Sequence, residues 1–192
     1  MVSFDLYLAS SSPRRRELLD QIGVRYRIVE IDVPEVPAAD ETPEAFALRV
    51  ACDKAQAGWD SLDESLRKPV LGADTVVVIE GEILGKPRDK EHALAILAKL
   101  SGRTHEVLTA VAIMDGRLHT ALNRSQVSFA QMSEGERIAY WETGEPRDKA
   151  GAYAIQGLAA RYIRELSGSY SGVMGLPLYE TTRLLKEVGI AL

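Results

Sequence analysis

A short apolar stretch, Leu6 to Ala9, runs directly into Ser10-Ser11-Ser12-Pro13-Arg14-Arg15-Arg16. Ser12-Pro13 has the form of a helix N-cap followed by proline at the first helical position. The start of a helix carries positive partial charge, so three arginines in its first turn are misplaced unless an anion sits there. The hydroxyls of Ser10 and Ser12, free backbone N–H groups and guanidinium forks together make a phosphate cradle. The plainer alternative is a capped surface helix with solvated arginines. The whole cluster, placed after a buried strand, favours the anion site.

Two charged residues lie on apolar faces. Lys54 follows Phe46 and Val50 at intervals of four, on the apolar stripe of its own helix. Alone, it reads as a snorkelling stem whose ammonium reaches water. Asp74 interrupts Val70-Leu71-Gly72-Ala73-Asp74-Thr75-Val76-Val77-Val78-Ile79, where a carboxylate is costly unless paired, protonated or bound to a metal. An acid at a solvated strand end is the alternative. Beside a lysine and a phosphate cradle, it suits a metal ligand or a general base. Lys86, in Leu84-Gly85-Lys86-Pro87-Arg88-Asp89, is a weak signal by itself. The segment Gly144 to Gly157 joins glycines, which allow close backbone approach, to Gln156, which offers a donor and an acceptor. Gly168 to Pro177 does not fit GxSxG and reads as a tight turn before a helix.

These positions need a scaffold, and strands and helices alternate along the chain. Leu6 to Ala9, Tyr26 to Val33, Val70 to Ile79 and Ile83-Leu84 read as strands. His105 to Met114 and Leu118 to Ala130 form a long hairpin around Asp115-Gly116, and Arg161 to Leu166 is the last strand. Helices are predicted from Ser12-Pro13 to Gly23, from Thr42-Pro43 to about Trp59, after Asp89 to Gly102, and from Pro177 to Val188. A further helix opens on the capping box Ser133/Glu136 and stops at Gly144. Hairpins demand antiparallel pairing, so the pattern predicts an α/β fold with a mixed sheet.

Composition narrows the class. The 192 residues carry 23 Lys plus Arg against 28 Asp plus Glu, a net charge of −5, which does not suit general nucleic-acid binding. Apolar runs fall far short of the ~20 residues that span a bilayer, and no signal-peptide pattern opens the chain. One cysteine, Cys52, excludes an internal disulfide, and His92, His105 and His119 lack metal-ligand spacing. P-loop and GxGxxG motifs are missing. No linker or repeat marks a boundary, so residues 1–192 read as one domain with two lobes. The expectation from the residues is a soluble, cytoplasmic, phosphate-binding α/β enzyme assisted by a metal.

Several motifs in order are more specific than any one of them. Ala9-Ser10-x-Ser12-Pro13-Arg14-Arg15, Lys54, Gly72-Ala73-Asp74-Thr75, Gly85-Lys86-Pro87, Ser101-Gly102-x-Thr104-His105 and Asp148-Lys149-Ala150-Gly151-Ala152-Tyr153-x-Ile155-Gln156-Gly157 run nearly end to end. In this the chain resembles the Maf family of nucleoside triphosphate pyrophosphatases. The resemblance implies a two-lobed fold similar to the inosine-triphosphate pyrophosphatases, with the active site between the lobes. It implies a homodimer and a divalent cation, Mg²⁺, Mn²⁺ or Co²⁺. It implies Asp74 as proton acceptor, Ser10, Arg15, Lys54 and Lys86 around the triphosphate, and Glu35 with Asp74 on the metal. Asp32 is a neighbouring candidate for the role of Glu35.

Arg14, Thr75 and Gln156 stand where the family's specificity positions lie, and their combination resembles the branch acting on dTTP and UTP. The sibling branch acting on 7-methyl-GTP carries glutamine after the catalytic aspartate and glutamate in place of Gln156. The alternatives are that sibling branch, a non-catalytic nucleotide-binding regulator of cell division, and a nucleotidyltransferase-like enzyme. Neither stable nucleic-acid binding nor membrane association is expected.

Overall fold

The structure, a computed structural model, describes residues 4–192. Seven strands form one mixed sheet: β1 (Leu6–Leu8), β2 (Tyr26–Ile28), β3 (Val70–Ile79), β4 (Glu82–Leu84), β5 (Thr104–Met114), β6 (Leu118–Phe129) and β7 (Ile163–Ser167). Their order is β2-β1-β3-β5-β6-β7, with β4 also paired to β3. The pairs β1–β2 and β1–β3 are parallel, and all others are antiparallel.

The continuous apolar run of β3 is that of a strand covered on both faces. One of its edges pairs with β5 from Val70 to Val78. The other pairs with β1 at Val70 and Leu71, then with β4 from Val77 to Ile79. Residues 72–76 of that edge fall between the two partners, so the sheet splits beside Asp74 and Thr75.

Side chains alternate across a strand, and here the alternation separates the cores. On one face, Leu71 and Ala73 pack with Leu18 and Leu19 of α1 (Pro13–Gln21) and Leu184 and Leu185 of α6 (Leu178–Glu187). Farther along that face, Val77 and Ile79 pack with Ile96 and Leu97 of α3 (Lys90–Leu100) and Tyr140 of α4 (Glu134–Glu142). Thr75 lies on the seam between these two cores. On the opposite face, Val76 and Val78 meet Phe46, Val50 and Ala51 of α2 (Pro43–Asp60). The expected mixed α/β fold with two lobes is therefore present, and its division follows the strand register.

Local expectations hold where a cap is written in sequence. Thr42, Asp89 and Ser133 accept the predicted backbone N–H groups, and Ser133/Glu136 closes a full capping box. Ser12 occupies the N-cap of α1, but its hydroxyl caps nothing; its N–H donates to Ser10 Oγ at 3.2 Å. Strand β2 ends at Ile28 rather than Val33, because its partner β1 ends at Leu8. Strand β7 starts at Ile163, since Leu158–Tyr162 winds into a 3₁₀ segment. The stretch read as a turn before the last helix contains a short helix, α5 (Tyr170–Met174).

His105 packs edge-on against Phe129 and Tyr153, with Nε2 2.8 Å from the Tyr153 hydroxyl and Nδ1 without a partner among the described residues. Burial pushes its pKa down to about 4. A depressed folded-state value means full stability above the unfolded value near 6.5, lost as pH falls toward 4. A shift of that size corresponds to about 2 kcal/mol lost between pH 7.5 and 5. Urea unfolding at both pH values checks this: His105→Gln should shrink the difference, and an unchanged difference would reject it.

Candidate active site

Helix α2 crosses β3 where the strand has no side chain. A Cβ at Gly72 would come within 2.5 Å of the Ala51 carbonyl and 2.6 Å of the Ala55 nitrogen. That close approach carries Lys54 to the next residue on the same face of the strand, Asp74. Lys54 Nζ lies 2.9 Å from Asp74 Oδ1 and 2.6 Å from Glu35 Oε1. The Lys54 and Asp74 side chains are buried, at 7% and 10% exposure, whereas that of Glu35 is half-exposed. The lysine is thus no snorkelling stem; it joins two carboxylates. Of the two candidates it is Glu35 that reaches Lys54, and Asp32 does not line the cleft.

The two carboxylates titrate in opposite directions. Burial pushes Asp74 above the usual carboxylate range, against the pull of Lys54 and Arg15. Partial burial acts upward on Glu35 as well, but the hydrogen bond and charge of Lys54, with Lys86 and Arg15, outweigh it and hold Glu35 low. Paired acids driven apart in this way suit different tasks, one exchanging a proton and the other staying anionic.

On the other face of β3 the arginine run divides its labour. Arg15 is buried and held by three hydrogen bonds: Nε to the Gly175 carbonyl at 2.8 Å, a terminal nitrogen to Ser10 Oγ at 3.1 Å, and the other to Thr75 Oγ1 at 3.4 Å. A guanidinium has five N–H donors, so an N–H on each terminal nitrogen is left for an anion. Burial lowers the Arg15 pKa, and Asp74 and Glu35 restore part of it. Thr75 is fixed in turn by Thr109, whose hydroxyl lies 3.0 Å from Thr75 Oγ1 and 2.7 Å from the Gly172 carbonyl. Sequence reading missed Thr109; its one signal is a hydroxyl at the centre of an apolar strand.

These groups line a cleft of about 760 Å³ at the split in the sheet. Ser10, Arg14, Arg15 and Thr75 border it with Glu35, Lys54 and Asp74, while Lys86 and Gln156 approach from the second lobe. All the candidates from sequence except Asp32 thus border one cavity. Asp148, Lys149 and Tyr153 also line it. Gln156 is exposed at the rim. The cleft can neutralise a polyphosphate with Arg15, Lys54 and Lys86 and set a base, Asp74, against it.

Among the described residues, no three His, Cys, Asp or Glu side chains gather as an all-protein metal cage. Two carboxylates meeting on one ammonium nevertheless fit Mg²⁺ or a similar hard cation. Such an ion is commonly held by one or two carboxylates, with water and substrate phosphate completing its shell.

No helix among the described residues is long and apolar enough to cross a membrane. A protein of Alkalilimnicola ehrlichii named dTTP/UTP pyrophosphatase is 56% identical over 188 residues, covering 96% of this chain and 93% of its own. A protein of the same name from Pseudoalteromonas atlantica is 48% identical, covering 97% and 98%. Among solved structures, VC0702 from Vibrio cholerae aligns over 97% of this chain and 98% of its own, at 11% identity and a TM-score of 0.46. Residues 5–188 match the family described as Maf-like protein. With nearly its whole length matched, and relatives at about half identity end to end, the chain belongs to the Maf-like protein family.

Proposed function

We propose that this chain is a nucleoside triphosphate pyrophosphatase that hydrolyses dTTP and UTP to the monophosphate and pyrophosphate. The observation that carries this reading is the Asp74–Lys54–Glu35 cluster inside a cleft edged by Arg15 and Lys86. Carboxylates beside a triphosphate repel it unless cations intervene, so their presence argues for chemistry rather than simple retention of a nucleotide. The names of the relatives support the choice of dTTP and UTP over 7-methyl-GTP.

In this reading a water oxygen attacks the α-phosphorus. Asp74 takes its proton, the bond from the α-phosphorus to the bridging oxygen breaks, and pyrophosphate leaves with that oxygen. In the metal-free cleft burial raises the Asp74 pKa, which favours the carboxylate as a proton acceptor there. Arg15, Lys54 and Lys86 neutralise the departing charge, and Ser10 adds a hydroxyl to the phosphate cradle. Glu35 and Asp74 would hold the divalent cation, Mg²⁺, Mn²⁺ or Co²⁺, which when bound supplies further neutralisation of the phosphates. The same reading takes residues 1–192 as one working unit, a homodimer in the cytoplasm, supported by the family resemblance and the acidic, single-cysteine composition. A panel of nucleoside triphosphates with Mg²⁺ or Mn²⁺ tests it. Pyrophosphate should appear fastest from dTTP and UTP, and orthophosphate as direct product would refute it.

Base choice rests on Gln156, with Arg14 and Thr75 beside the same cleft. Uracil and thymine present acceptor, donor, acceptor along O4, N3–H and O2, and one amide can answer an acceptor and the donor together. Glutamate only accepts and would face O4 with no proton. Gln156→Glu should therefore lower kcat/KM for UTP by on the order of 1–3 kcal/mol, the scale of an unpaired acceptor once the base covers it. An unchanged dTTP/UTP preference would remove Gln156 from base recognition.

A further inference from the structure

The loop carrying Gln156 is fastened at both ends by two residues outside the cleft. Tyr140 of α4 is fully buried; its hydroxyl accepts the Ala154 N–H at 3.2 Å and donates to Glu145 Oε1 at 2.6 Å. Burial, with the hydrogen bond to Glu145, pushes the phenol pKa upward, so it remains a donor. Glu145 accepts the Leu158 N–H on Oε2 at 2.9 Å and the Ala159 N–H on Oε1 at 3.3 Å. Only Ile155, Gln156 and Gly157 lie between the fastened ends. A Cβ on Gly157 would come within 2.2 Å of Glu145 Oε2, so the carboxylate packs directly on loop backbone. Glu145 is itself held: its N–H donates to Thr143 Oγ1 at 3.2 Å, and its carbonyl accepts from Lys149 Nζ at 2.8 Å.

We propose that the Tyr140–Glu145 pair positions the base-recognition loop, fixing both ends of Ala154–Leu158 so that the Gln156 amide is presented to the pyrimidine. This rests on the reading of Gln156 given above. Gln156 is exposed and makes no side-chain hydrogen bond among the described residues, so where its amide can reach is set by the backbone on either side. Fixing that backbone during folding spares the nucleotide the entropy of ordering it on binding. The phosphate end of the cleft does not depend on the clasp, since Arg15, Lys54 and Asp74 are held by α1, α2 and β3.

The test uses Tyr140→Phe and Glu145→Gln, each nearly isosteric, beside Gln156→Ala and the Tyr140→Phe/Gln156→Ala double variant. In Glu145→Gln the amide nitrogen opposes a backbone donor, so one link is lost without loss of volume. Each clasp variant should raise KM for dTTP and UTP about tenfold, with kcat within about threefold, as expected when binding energy alone is lost. Inhibition by inorganic tripolyphosphate, a base-free probe, should stay unchanged. In the double variant the clasp change should add little to Gln156→Ala, a coupling that a merely structural role would not produce. If Gln156→Ala raises KM but the clasp variants leave it unchanged, act additively, or weaken tripolyphosphate equally, the clasp proposal is overturned and the base reading stands. If Gln156→Ala leaves KM unchanged, the base reading fails and takes the clasp with it.

Discussion

Asp74→Asn lowers kcat by at least ~10²-fold for dTTP and UTP, the scale of a lost general base, with the fold intact. Asparagine keeps the shape and an oxygen facing Lys54 Nζ, now 2.9 Å from the carboxylate, but cannot take the proton of water. Some stability should be lost with the buried charge pair, since the half-exposed Glu35, 2.6 Å from Lys54, compensates the ammonium only in part. The parent should also lose kcat/KM on acidification, because the base acts only when deprotonated. Burial places that limb above the ordinary aspartate value near 3.9. Steady-state kinetics on the variant, with a pH profile of the parent, check both points. Near-normal turnover by a folded Asp74→Asn would move the base to Glu35.

Lys54→Met should strike stability and activity together. Removing the ammonium leaves Asp74, 10% exposed, as a buried carboxylate without its partner. Breaking a buried pair in this way costs about 3–5 kcal/mol. Glu35 adds little to that figure, since a half-exposed partner is screened by water. Asp74 already has a raised folded-state value, and losing Lys54 raises it further, so the penalty is largest at neutral pH. It should shrink as acid protonates the carboxyl. Urea unfolding at pH 8 and pH 5 would show the gap to the parent narrowing at pH 5. A variant as stable as the parent at pH 8 would mean that the pair contributes nothing.

Much of the site is legible as violations of local preference. A carboxylate in an apolar strand, a lysine on an apolar helix face and arginines at a helix start each conflict with their own element, and each is reconciled in one cleft. That Lys54 meets Asp74 could not be read from spacing, because Gly72 brings the helix close only in three dimensions. Caps such as Ser133/Glu136 are local and were readable; the end of β2 was not, since it depends on where β1 stops. Thr109 and the Tyr140–Glu145 clasp were silent for the same reason. Their partners lie 63 residues on at Gly172 and 14 residues on at Ala154, contacts that only the folded chain brings together.

In the proposed mechanism Asp74 directs water to the α-phosphorus. Hydrolysis of dTTP in ¹⁸O-labelled water, with mass analysis of both products, tests it most directly. Attack at the α-phosphorus places the label in the monophosphate and leaves pyrophosphate unlabelled, which is the result expected. Label in pyrophosphate would mean attack at the β-phosphorus, and labelled orthophosphate as first product would mean cleavage at the γ-position; either contradicts the account.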